Sequence, residues 1–90
     1  MAKTYRQGNQ EFQVVSVRKV VTNPEFRLGY QDRLAGRPPP PFYLGEDWSY
    51  ERGRLVATWL LTTGRRPPPV TDTRALTAAY AQAEDDGVVL

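Results

Sequence analysis

The chain has 90 residues, a net charge of +2, 40% hydrophobic residues and ten aromatics, enough apolar material for one small folded domain. It contains neither Cys nor His, which excludes disulfide staples, zinc sites built on those residues, thiol nucleophiles and an imidazole base. Eight Pro and seven Gly call for many turns and extended connections.

The charge is uneven. Residues 1–66 hold eleven Lys/Arg against six Asp/Glu, whereas residues 67–90 hold one Arg against four acids. Ten of the twelve cations are Arg, the side chain that forks onto phosphate and stacks on bases. A basic body with an acidic tail suits nucleic acid or an acidic protein surface.

Residues 1–11 are polar and are expected to be flexible, either loose chain or one arm of a weak hairpin. Residues 12–22, FQVVSVRKVVT, read as helix or strand. Their valines favour a strand, yet Val14, Val17 and Val21 fall at helical spacing. Asn23-Pro24-Glu25 is a cleaner signal, with a cap, a proline for the first helical position and an acid at the positive end of the dipole. The predicted helix spans about 24–35, with Phe26, Tyr30 and Leu34 stacked along it and Gly36 as its stop.

Pro38 to Pro41 predict a short polyproline rod that delivers Phe42 and Tyr43. Glu46 or Asp47 is expected to open the next helix, about 47–63. In it Trp48, Leu55 and Trp59 form one stripe, and Val56, Leu60 and Leu61 spread round the other side. A helix apolar over so much of its girth reads as the spine of the fold. After Arg65-Arg66 and three prolines, Thr71 or Asp72 caps a last helix of about 72–85, with Leu76, Ala79, Tyr80 and Ala83 on one face. Glu84, Asp85 and Asp86 oppose the dipole, so this end is expected to fray. Val88, Val89 and Leu90 form an apolar tail able to dock back. The fold class is therefore mostly α: one domain over 1–90, a core helical hairpin over 24–63, and a C-terminal helix and acidic tail over 67–90.

No paired acid/base pattern, metal loop or glycine-rich phosphate loop appears, so the expectation is a binding protein with no catalytic residues, metal or cofactor. The opening residues lack the apolar core of a signal peptide, and the apolar block Leu55 to Leu61 is too short to span a bilayer, which predicts a soluble, cytoplasmic protein without a membrane partner. Arg27, Arg33, Arg37, Arg52 and Arg54, together with Tyr30, Phe42, Tyr43 and Tyr50, make a basic-aromatic mixture suited to single-stranded RNA. Gly29, Gly36 and Gly53 are read as helix-packing glycines; Gly29 and Gly53 allow something to approach closely, and Gly36 also serves as the cap.

Gly29-Tyr30-Gln31 with Leu34-Ala35-Gly36-Arg37, then Pro41-Phe42, then Trp48 with Gly53-Arg54, resembles the ribosome modulation factor family of bacteria across residues 24–60. The chain departs from that pattern at Asp32 and Arg33, in its shorter and more proline-rich linker, and in lacking a second Trp just after Gly53. The resemblance implies a helical hairpin that binds ribosomal RNA of the small subunit and silences ribosomes without chemistry. Phe-x-x-Gly-Tyr and Tyr-Glu-Arg-Gly-Arg also look like accessory proteins of phages and mobile elements, which implies a host protein as partner instead. The surplus apolar surface of residues 47–63 suits such a partner or a homodimer.

Overall fold

A computed structural model describes residues 3–7, 10–14, 16–40 and 48–90, with side chains for 16–40 and 48–90. Its elements are β1 (Lys3–Gln7), β2 (Gln10–Val14), α1 (Val17–Thr22), α2 (Pro24–Leu34), α3 (Ser49–Thr62) and α4 (Thr73–Asp85). The architecture is mostly helical, as expected, with α2 and α3 forming a hairpin and α1 and α4 packed together beside it.

The ambiguous segment 12–22 is both things in turn. Its first part belongs to β2, which pairs antiparallel with β1 so that Tyr5 lies opposite Phe12 and Lys3 opposite Val14. Residues 3–7, expected to be flexible or a hairpin arm, are thus paired. Ser16 then breaks the extended run: in a β conformation, its hydroxyl accepts from the Lys19 amide at 3.4 Å and starts α1. Val21 is fully buried, and Val17 and Val20 pack against the core from the same short helix.

Asn23 ends α1 and begins α2. Its amide bonds the Val20 carbonyl while its side chain accepts from Glu25 N at 2.8 Å, and Pro24 takes the first position. On α2, Phe26 and Tyr30 are completely buried, but Leu34 is exposed. Two turns beyond Phe26, at 3.6 residues per turn, Leu34 has rotated about 80° away from it, which carries it off the packing face.

On α3 the expected Trp48–Leu55–Trp59 stripe is corrected. Trp59 is buried, whereas Trp48 is 64% and Leu55 39% exposed. The face that packs is lined by Tyr50, Gly53, Val56, Ala57 and Leu60, and is centred on residues with little apolar bulk of their own. Leu61, at the rim of that face near the end of the helix, is also exposed. The helix starts at Ser49, with Trp48 in the N-cap position at φ 64° and no side-chain cap. The expected openers Glu46 and Asp47, and the Pro41–Phe42–Tyr43 step, lie outside the described residues.

Gly29 and Gly53 explain how α2 and α3 lie so close. A Cβ at Gly29 would overlap the Tyr50 carbonyl, reaching 2.9 Å from its carbon; a Cβ at Gly53 would overlap the Phe26 carbonyl and come within 2.8 Å of Tyr30 N. Each glycine faces the backbone of the opposite helix, so the notch is reciprocal. Gly36 is corrected from a packing glycine to a cap alone: nothing lies within 4 Å of a Cβ there, and its φ of 74° is the left-handed turn that ends α2. The stop is completed by Arg37 N, which donates to the Asp32 carbonyl at 2.8 Å.

Asp72 caps α4 by accepting from Ala75 N at 3.0 Å, and Leu76, Ala79, Tyr80 and Ala83 are buried as the spacing predicts. The acidic end is anchored, contrary to the expected fraying. Trp59 Nε1 donates to Asp86 Oδ2 at 2.7 Å, and Arg65 lies 4.6 Å from the Trp59 ring while donating to Gln82. A charge-assisted bond to a buried indole outweighs the unfavourable dipole term at a helix end. Val88 and Leu90 pack against the core, while Val89 points outward. Tyr30 ties the second proline run to α2, its hydroxyl donating to the Pro68 carbonyl at 2.6 Å.

These contacts separate two kinds of glycine. Gly29→Ala or Gly53→Ala forces the helix backbones apart and should cost about 3 kcal/mol in urea denaturation, at the upper end of overpacking penalties. Gly36→Ala meets open space and should cost only about 1 kcal/mol of left-handed strain. Similar losses at all three positions would contradict the close crossing.

Candidate nucleic-acid interface

At the open end of the notch, α2 and α3 bury a polar cluster. Asp32 is 7% exposed and sits on the packing side of α2. Its Oδ2 accepts from the Tyr50 hydroxyl at 2.7 Å and its Oδ1 from Arg37 Nη1 at 3.1 Å. Arg54 closes the cluster from α3: its Nη1 donates to the Arg37 carbonyl at 2.8 Å and to the Tyr50 hydroxyl at 3.5 Å, with the guanidinium 5.9 Å from the Tyr50 ring centre. One turn further along, Arg33 Nε donates to Thr58 Oγ1 at 3.0 Å, and Thr58 Oγ1 donates to the Arg54 carbonyl at 2.8 Å.

Arg37 and Arg54 therefore converge on the Asp32 cluster, and Arg33 joins the same side of the hairpin one turn along through Thr58. Among the described residues Arg33 and Arg54 pair with no carboxylate, and the Arg37 side chain is 62% exposed even while it bonds Asp32. The cluster keeps a surplus of positive charge at the surface.

The other two arginines of the expected set lie elsewhere. Arg27 turns to the α1–α4 side, donating to the Val21 carbonyl at 3.4 Å and to Thr73 Oγ1 at 3.5 Å. Arg52 reaches the Tyr80 hydroxyl on α4. Their positions on the helices decide this, since two residues along α3 turn the side chain about 200°. Tyr30 is corrected from a partner-binding ring to a core one: fully buried, stacked on Phe26 at 6.5 Å and bonded to Pro68. Phe42 and Tyr43 lie outside the described residues.

Asp32 is the residue the pattern concealed. Read as a lone carboxylate it belongs in solvent, yet it lies three residues after Gly29 on the face that meets α3. The Tyr50 hydrogen bond holds its carboxyl below the ordinary range, desolvation opposes this, and the bond and charge of Arg37 and the charge of Arg54 reinforce it. Burial, and then the bond to Asp32, raises the Tyr50 hydroxyl. Desolvation pushes Tyr30 up to about 12.

Among the described residues no group of three potential metal ligands comes together, and no helix is long and apolar enough to cross a membrane. Compared with family models, curated proteins and solved structures, the chain gives no match.

The shifts set the response to pH. With its folded-state pKa depressed, Asp32 stabilises the fold fully above the ordinary value of 3.8, and this contribution is lost as pH falls through the lower, folded value. Asp32→Asn should cost about 2 kcal/mol near neutrality and flatten the fall in melting temperature as pH drops below the ordinary carboxylate value of 3.8. Tyr30 acts at the other end: its pKa is raised from 10.0, so its contribution is whole below that value and fades as pH climbs towards about 12. Tyr30→Phe should weaken that alkaline loss. An acid limb unchanged in Asp32→Asn would show that the Tyr50–Asp32–Arg37 bonds do not hold the carboxylate.

Proposed function

We propose that this chain is a non-catalytic RNA-binding protein that lays the α2–α3 basic face on ribosomal RNA and thereby modulates ribosome activity. The observation that carries this reading is the gathering of Arg37 and Arg54 at the Asp32 cluster, with Arg33 one turn along on the same side of the hairpin. Guanidinium groups held in fixed directions suit phosphate oxygens and the faces of unstacked bases. The buried cluster beneath them positions Arg37 and Arg54, so part of their ordering cost is met on folding. The likeness of residues 24–60 to the ribosome modulation factor pattern adds the small ribosomal subunit as the expected partner.

Affinity of this kind depends steeply on salt, because each phosphate neutralised releases counterions. Arg33→Ala combined with Arg37→Ala should weaken co-sedimentation with small ribosomal subunits and lower the slope of log affinity against log salt by roughly 1.5, from about 0.7–0.9 per contact. Co-sedimentation and slope that survive this double change would remove the proposal.

A second reading, a phage or mobile-element accessory protein that inhibits a host protein complex, draws support from α3. Trp48 and Leu55 lie on one side of that helix and are exposed, and large rings at a surface anchor protein interfaces. A pull-down from cell extract with and without nuclease separates the two. RNA-dependent capture supports the first reading, and nuclease-resistant capture abolished by Trp48→Ala supports the second. Light scattering after size exclusion reads out a homodimer in the same preparation.

A further inference from the structure

A second basic region lies apart from the α2–α3 face, where α1 packs against α4. A cleft of about 430 Å³ there is lined, among the described residues, by Arg18, Thr73, Arg74 and Thr77. Neither the Arg18 nor the Arg74 guanidinium has a hydrogen bond or ion pair among the described residues. Two like charges facing one cleft repel each other and gain nothing unless an anion enters.

The remaining groups fit the same ligand sign. Thr73 Oγ1 accepts from Arg27 Nη2 at 3.5 Å, which leaves the Thr73 hydroxyl proton to be donated and brings a third cation behind the cleft. Thr77, also in the lining, spends its proton on the Thr73 carbonyl at 2.7 Å. The neighbouring carboxylate, Asp72, is turned onto the Ala75 amide. Among the described residues the lining thus presents guanidinium and hydroxyl groups and no carboxylate.

We infer that this cleft is a binding site for a doubly charged oxyanion of the phosphate-monoester class, held between Arg18 and Arg74 with the Thr73 hydroxyl as third donor. Bidentate guanidinium groups match phosphate oxygens, and two of them balance a dianion. The site is separate from the proposed RNA face, so either can stand without the other.

The test is titration of the isotopically labelled full chain with inorganic phosphate at about pH 8, where phosphate is a dianion, with sodium chloride of matched ionic strength as control. Saturable amide shifts confined to α1 and the first turn of α4 are expected. They should weaken about ten-fold in Arg18→Gln and again in Arg74→Gln, the factor for one charge-assisted hydrogen bond, and remain in Arg33→Gln. Both arginines are exposed, so the variants should keep the wild-type melting temperature. If either fails to fold, the wild-type titration alone still decides. Shifts reproduced by chloride, or unchanged in both cleft variants, would overturn the inference. So would the same resonances responding more strongly to an RNA oligonucleotide without terminal phosphates than to phosphate, which would make the cleft a second RNA contact.

Discussion

The reciprocal contact between Gly29 and Gly53 governs the rest of the molecule, because it brings two helix backbones closer than any pair of side chains would allow. Each glycine lies against the backbone of the opposite helix, so neither can be replaced without moving both. Glycine inside a helix costs up to about 1 kcal/mol relative to alanine, and two such positions need an offset from packing. That offset is visible nearby. Phe26, Tyr30, Tyr50, Val56 and Ala57 are all essentially buried, and the two tyrosine hydroxyls find partners in Pro68 and Asp32.

The close crossing also explains why a carboxylate can lie inside so small a domain. With the backbones nearly in contact, Asp32 of α2 lies within reach of the Tyr50 hydroxyl from the first turn of α3, and Arg37 folds back from the end of α2 to meet it. A buried carboxylate is costly unless paired and hydrogen-bonded, and here both oxygens are engaged. The cluster in turn fixes where Arg37 and Arg54 emerge. Packing at the notch, polar order beneath the surface and charge at the surface are thus three layers of one arrangement.

The second half of the chain braces the hairpin by different means. The Pro68 carbonyl receives the Tyr30 hydroxyl, α4 supplies Tyr80 against Phe26, and Asp86 takes the indole proton of Trp59. The acidic tail is therefore partly structural: one of its carboxylates is used at the core edge, beside the cation–π contact of Arg65 with Trp59. This closing network leaves Trp48, at the other end of α3, outside the core.

Much of this was legible in the linear pattern where the signal is local. Asn23-Pro24-Glu25, Gly36 and Asp72 mark helix ends because caps and left-handed stops act on neighbouring backbone, and Leu76, Ala79, Tyr80 and Ala83 declare a buried face by their spacing. Gly29 and Gly53 announced a close approach, since glycine inside a helix otherwise has little use. What the chain order could not decide was which face meets which. Burial on α3 includes Gly53 and Ala57, whose smallness hides them from any count of apolar bulk, whereas Trp59, turned well away from them, is covered by Asp86 and Arg65, and Leu55 and Trp48 stay out. Five arginines close together in sequence divide between two sides, and Asp32 turns from solvent to core, because rotation about a helix axis and the partner across it are set only when the helices dock.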